Sequence, residues 1–364
     1  MGFKCGIIGL PNVGKSTIFN ALTKAGVEVA NFPFCTIKPH IGVVPVPDKR
    51  LKILSEIVKS QCIIPTTITF IDIAGLIKGA SKGEGLGNQF LAKIRDTEAL
   101  VHVIRCFHDE NIVHCSGQIN PIEDIDIINT ELALADLEVC EKALLRIRVD
   151  KKTSILNKKF KLNTLEHCRI HLEKKGTLRG LNFTKEEKIT ISNLNFLTLK
   201  PILYVANINE NYINKNKIYV EQVKKIAEKE KSVVISVCAL IESNPAQFKE
   251  NESNDSIIEL GVKKCALSHL IHESYKLLKL KTFFTVGKKE VRAWTITEGT
   301  TAYQAAEKIH SDIKKGFIRA KIISYEDFIK NRGEHAAKEA GKVHIEGKEY
   351  LVKDGDIINF LFNI

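Results

Sequence analysis

Residues Gly9-Leu10-Pro11-Asn12-Val13-Gly14-Lys15-Ser16 follow the pattern of a glycine, four residues and then Gly-Lys-Ser, the spacing of a backbone cradle for phosphate. Glycines let successive amide N–H groups converge on phosphate oxygens, and the N-terminus of a following helix adds partial positive charge there. Lys15 can then meet the β- and γ-phosphates as a point charge, while the Ser16 hydroxyl can ligate Mg2+. Asn12, Val13, Gly14 and Thr17 complete the expected cradle. The elements needed to position it are present in the sequence. The apolar run Cys5-Gly6-Ile7-Ile8 reads as a strand entering the loop, and Thr17-Ile18-Phe19-Asn20-Ala21-Leu22 has helical spacing leaving it.

Two further segments fit a nucleotide switch. Asn31-Phe32-Pro33-Phe34-Cys35-Thr36 is interrupted by proline, so it reads as a loop over the nucleotide, ahead of a strand at Ile41-Gly42-Val43-Val44. Thr36 is the candidate hydroxyl that completes a Mg2+ shell while the γ-phosphate is present. The β-rich run from Ile68 to Gly75 ends in Asp-x-x-Gly: Asp72 would hold the Mg2+ shell, and the Gly75 N–H would meet the γ-phosphate. Ras-like enzymes place a water-orienting glutamine next, whereas this chain has Leu76, which carries no polar atom for that task. The glycine-rich stretch from Gly79 to Gly87 implies a backbone able to rearrange with nucleotide state.

The base-reading segment departs from guanine chemistry. GTPases use Asn-Lys-x-Asp, whose carboxylate accepts from guanine N1 and N2. Here the apolar strand Ile202 to Ala206 leads into Asn207-Ile208-Asn209-Glu210. Ile208 can pack on a base face, Glu210 is one methylene longer than aspartate, and an asparagine can pair with adenine N6 and N7. ATP is therefore the expected substrate, with relaxed purine choice left open.

The chain has 364 residues, 44% of them hydrophobic and 27% charged, which suits two or three globular domains. No apolar run reaches the roughly 20 residues of a membrane span, and no signal peptide precedes the first strand, so a cytoplasmic protein is expected. Nine cysteines without a Cys-x-x-Cys pair indicate neither a disulfide framework nor a zinc site. The formal charge is +11, and between Lys142 and Arg179 twelve Lys and Arg face three acids. That stretch is either a solvated face or a surface for RNA or the ribosome. It falls on two expected helices, one with Leu132, Ala135 and Val139 on a face and one with Leu162, Leu165, Cys168 and Leu172 at helical spacing. They suggest a helical hairpin inserted before the chain returns to its sheet.

Beyond Leu280 the pattern changes to a hairpin at 282–286 and 291–296, a helix over 301–314, and closing strands at 350–352 and 357–361. The expected fold is thus α/β: a P-loop NTPase domain over 1–125 and 200–278, an inserted basic helical hairpin over 126–199, and a small α+β unit over 279–364.

Together these motifs resemble the YchF or Obg-like ATPase family, within the Obg branch of translation-factor P-loop proteins. The resemblance covers nearly the whole chain. It implies an ATP-hydrolysing switch that prefers ATP to GTP and binds the ribosome in a nucleotide-dependent manner, with a β-grasp TGS domain at the C-terminus. It also implies a catalytic histidine, which falls on His114; the residues alone do not choose it over His102 or His108. In related switches an asparagine at the position of Asn12 helps coordinate K+, so K+ joins Mg2+ as a candidate ion beside a turn-forming role for Asn12. Where the family commonly has an acidic residue and an asparagine after the switch threonine, this chain has Lys38 and His40. An Obg-like GTPase, and an ATP-gated RNA- or ribosome-binding adaptor with incidental hydrolysis, remain the alternatives.

Overall fold

The computed structural model describes residues 3–29, 40–73, 86–109, 112, 117–150, 154–174, 176–209, 213–243 and 266–363. They form two compact units, the first mainly Met1–Ala25 with Thr69–Ser274, the second mainly Val44–Ile68 with Tyr275–Ile364.

The first unit is organised by a sheet of β1 (Lys4–Ile8), β2 (Ile41–Pro45), β4 (Thr67–Asp72), β5 (Ala99–Arg105), β6 (Ile202–Asn207) and β7 (Val233–Val237), in the order β2-β4-β1-β5-β6-β7. β1 runs parallel to β4 and β5, and β5, β6 and β7 continue in parallel. β5 and β6 are buried at every residue, which is why they read as continuous apolar runs rather than alternating ones. Helices α1 (Lys15–Val29), α3 (Leu86–Arg95), α7 (Ile213–Lys229), α8 (Ala239–Ser243) and α9 (Ala266–Leu277) follow strands or connect them. Because β1 lies between β4 and β5, its carboxyl end is the switch point at which open α/β sheets bind ligands.

The inserted hairpin consists of α4 (Pro121–Val149) and α5 (Ile155–Glu173). α4 starts well before the stretch whose periodicity announced it. Asn120 caps it by accepting from the Glu123 N–H, Pro121 occupies its first turn, and Glu123 and Asp124 complement its dipole. Leu144, Leu165, Cys168 and Leu172 fill a core that α6 (Lys185–Ile191) and Phe196 close. At the root, the fully buried Asp136 accepts from the backbone N–H groups of Leu197 and Thr198 at 2.8 and 2.7 Å and from the Thr198 hydroxyl at 2.7 Å. The Cys140 and Cys168 thiols are pushed up to about 12 by burial, so both are inert core residues.

In the second unit, β8 (Leu280–Val286) and β9 (Glu290–Thr297) form the expected hairpin, and β12 (Ile357–Phe362) returns parallel to β8. The helix over the sheet packs Ala302, Ala305 and Ala306 onto Phe283, Ile296 and Phe360, a β-grasp arrangement. Three details differ from expectation. The helix expected over 301–314 breaks at His310, whose extended backbone ends Ala302–Ile309 and whose side chain caps Ser311–Lys315. Residues 350–352 contribute only a bridge between Thr301 and Leu351, and β10 (Phe317–Ile323), unforeseen, pairs with β12 instead. The segment 44–68, assigned by sequence to the nucleotide domain, belongs to this unit. Its α2 (Lys49–Val58) buries Leu51 and Leu54 against Phe284, Val291 and Ala293, and its β3 (Cys62–Ile64) pairs with β9. Arg50 fixes it by pairing with Asp48 at 2.8 Å and Asp354 at 2.6 Å. A short amphipathic helix gives no hint of which sheet it will cover.

Candidate functional site

The loop from Gly9 to Ser16 joins β1 to α1 as its sequence required. Gly9 (φ 151°) and Gly14 (φ 95°) have backbones disfavoured for other residues, and a Cβ at Gly9 would lie 2.4 Å from the Val103 carbonyl oxygen. Asn12 takes a left-handed φ of 60°, a conformation asparagine tolerates, and this supports its turn-forming reading. Lys15 is 7% exposed and its ammonium donates to the Leu10 carbonyl at 2.6 Å, holding the charge inside the loop.

Ser16 and Asp72, fifty-six residues apart, meet here. The Ser16 hydroxyl donates to Asp72 Oδ2 at 3.0 Å, while Asp72 Oδ1 is buried without a hydrogen-bond partner. An orphaned carboxylate oxygen beside a hydroxyl is the oxygen donor set that suits a hard cation such as Mg2+, so these residues fit the expected ion. His40 adds its Nδ1 at 3.9 Å from Asp72 Oδ2, and its carbonyl accepts from the Asp72 N–H at 2.9 Å. Thr36, Gly75, Leu76, His114 and Glu210 lie outside the described residues.

A cleft of about 310 Å³ extends from the loop at Asn12, Gly14 and Thr17 to Asn207, Ile208 and Asn209 at the end of β6. Phe107, Asp109 and Ile112, from the segment after β5, and Ala239 and Leu240 of α8 complete its lining. Asn207 ties the two ends together. Its amide nitrogen donates to the Val13 carbonyl at 2.9 Å and its oxygen accepts from the Ala239 N–H at 3.2 Å, so much of its capacity serves to hold the phosphate loop. A Cβ on Gly14 would stand 2.2 Å from that amide nitrogen.

The supports behind this cleft escaped sequence reasoning. Arg105, 1% exposed at the end of β5, sends its guanidinium under the wall and donates to the carbonyls of Phe107 (3.2 Å), Asp109 (3.1 Å) and Ile112 (3.1 Å). It also lies 4.8 Å from the centre of the Phe107 ring. The available signal was a charged residue closing an otherwise apolar strand, because a buried guanidinium demands acceptors. Asn216 of α7 donates to the Asn209 carbonyl at 2.8 Å and its Oδ1 at 3.2 Å, and Asn209 in turn donates to the His108 carbonyl at 3.2 Å. Nothing in the sequence marked Asn216. His102 is a packing residue: it is 1% exposed, pairs in register with Ile8 and Tyr204, and burial, with Arg179 and Lys15 adding, lowers its pKa to about 3.

Known proteins are similar to this chain. The "50S ribosome-binding GTPase" family matches residues 4–142, and the YchF GTPase C-terminal family, described as a protein of unknown function, matches residues 280–363. The "Ribosome-binding ATPase YchF" of Escherichia coli O157:H7 is 59% identical over 364 residues, with all of both chains covered. The chain belongs to the YchF family. Its YchF relative from Bacillus subtilis is 48% identical over 369 residues, again with both chains covered. A solved structure described as "Structure of the Schizosaccharomyces pombe YchF GTPase" superposes with a TM-score of 0.86 at 37% identity, covering 99% of this chain and 98% of that one. The YchF names differ in the nucleotide they give.

Proposed function

We infer that the chain is an ATP-hydrolysing switch that binds the ribosome in a nucleotide-dependent manner and works in the cytoplasm. The observation that carries this reading is the meeting of Ser16 with Asp72 beside the buried Lys15, in a loop whose Asn12 and Gly14 line the cleft that reaches Ile208. Lys15 and the loop N–H groups bind the phosphates, and Asn207 keeps the loop in register with the base end. Ser16, Asp72 and Thr36 would hold Mg2+, which when bound withdraws charge from the β- and γ-phosphates. Gly75 would face the γ-phosphate, and Ile208 and Glu210 the base.

His114 is assigned the water-orienting role on the family resemblance, which supplies a histidine for a task that Leu76 has no polar group to perform. The relatives named ribosome-binding ATPases support the partner and the reaction. Steady-state hydrolysis of ATP and GTP, with and without ribosomes, tests the reading. Turnover of ATP that ribosomes stimulate is expected; binding without turnover would leave the adaptor alternative, and turnover of GTP alone an Obg-like GTPase.

A further inference from the structure

The tip of the α4–α5 hairpin differs from the rest of the surface. Ile155, Leu156 and Val149 are 86%, 82% and 77% exposed, more than any other large apolar side chain among the described residues. Leu145 stands one helical turn before Val149, and Phe160 one turn after Leu156, at 60% and 38% exposure. A lone exposed leucine needs no explanation, but five apolar side chains at two adjoining helix ends do. The hairpin does not need them for its own packing, since Leu144, Leu165, Cys168 and Leu172 fill its core.

The same end is basic. Between Lys142 and Lys161 the sequence has eight Lys and Arg and one acid, Asp150. Arg148 is held by Glu166 at 2.9 Å, and Lys158 donates to the Arg148 and Asp150 carbonyls. Arg146 and Lys159 are exposed and make no ion pair among the described residues. Leu145, Arg146, Val149 and Asp150 border a shallow, open patch at the end of α4.

We propose that this tip docks on an acidic protein face that offers apolar pockets. The inference rests on the ribosome-binding reading and names the chemistry of the contact. A phosphate backbone would satisfy the basic charge but would leave four aliphatic side chains in water. A bilayer would take up the aliphatic groups, but the patch sets Arg146 and Asp150 beside Leu145 and Val149, and this mixture of both charges with apolar groups suits a protein face rather than acyl chains.

The full-length protein, its Val149→Ser/Ile155→Ser/Leu156→Ser triple variant and its Arg146→Gln/Lys159→Gln variant would be sedimented with ribosomes in ATP. Basal ATP hydrolysis without ribosomes reports that each is folded. The triple variant should lose about tenfold in ribosome affinity, and the charge variant a smaller, salt-dependent amount. A photocrosslinker at residue 156 should capture protein. Wild-type sedimentation by the triple variant, crosslinks to rRNA, or tight binding of wild type to anionic phosphatidylglycerol vesicles would each overturn the docking surface alone. Failure of the wild type to sediment would overturn the ribosome reading and the docking surface together.

Discussion

The two ends of the nucleotide cleft are built on different principles. At the phosphate end, most groups come from one continuous loop joined by Asp72, and each is prescribed by the ligand: glycines for close approach, a lysine for charge, a serine beside Asp72 for the ion. At the base end, Phe107, Asp109, Ile112 and Ile208 line the cleft from separate loops, and their positions are set from beneath by Arg105 and Asn216. The phosphate end is chemistry carried by a local sequence pattern. The base end is adjustable chemistry held by buried supports, which is where a fold shared with GTPases can turn toward adenine.

Substitutions at the two ends should therefore fail differently. The largest effect is expected from Lys15→Ala, which removes a charge that acts on the transferring phosphate: kcat/KM for ATP should fall by about 10³-fold with little change in melting temperature. Near-normal turnover would break the assignment of that end. Arg105→Lys keeps the charge, but an ammonium cannot span three carbonyls as a guanidinium does. The wall should loosen, raising KM for ATP about tenfold while kcat falls less. Equal losses in kcat and KM terms would show that the wall also governs chemistry.

Asn216→Ala should act more mildly. It removes two donors to Asn209 and should cost about 1–2 kcal/mol in denaturant unfolding, with a few-fold weaker ATP binding. His102, between the two ends on β5, should be silent at neutral pH. The unfolded chain protonates it below its ordinary value of 6.5, whereas the folded chain resists until about 3. Folding thus expels a proton within that window, and stability falls as pH drops through it. Urea unfolding at pH 4.5 and pH 7 should show His102→Gln less acid-sensitive than wild type by about 2 kcal/mol. Parallel curves would show that the imidazole is charged in the fold.

What could be read from sequence follows the same division. The phosphate loop, Asp72 and the strands around them were legible because spacing and apolar runs are local, and the hairpin faces were legible because Leu165, Cys168 and Leu172 repeat at helical spacing. The destination of α2 was not, because the residues that bury Leu51 and Leu54, namely Phe284, Val291 and Ala293, and the Asp354 that pairs with Arg50 lie more than two hundred residues away in the chain. Arg105 and Asn216 were missed because their roles are to satisfy backbone carbonyls of loops whose shapes no local pattern records. The break at His310 was missed because Ala302 to Lys315 keeps a helical composition across it.

Selection of adenine is assigned to the base end of this cleft. Its most direct test is titration of the purified, nucleotide-free protein with ATP and with GTP in Mg2+ buffer. ATP should bind at least about tenfold tighter, a difference of about 1.4 kcal/mol. Equal or tighter binding of GTP would contradict it and return the chain to the GTPases whose phosphate loop it shares.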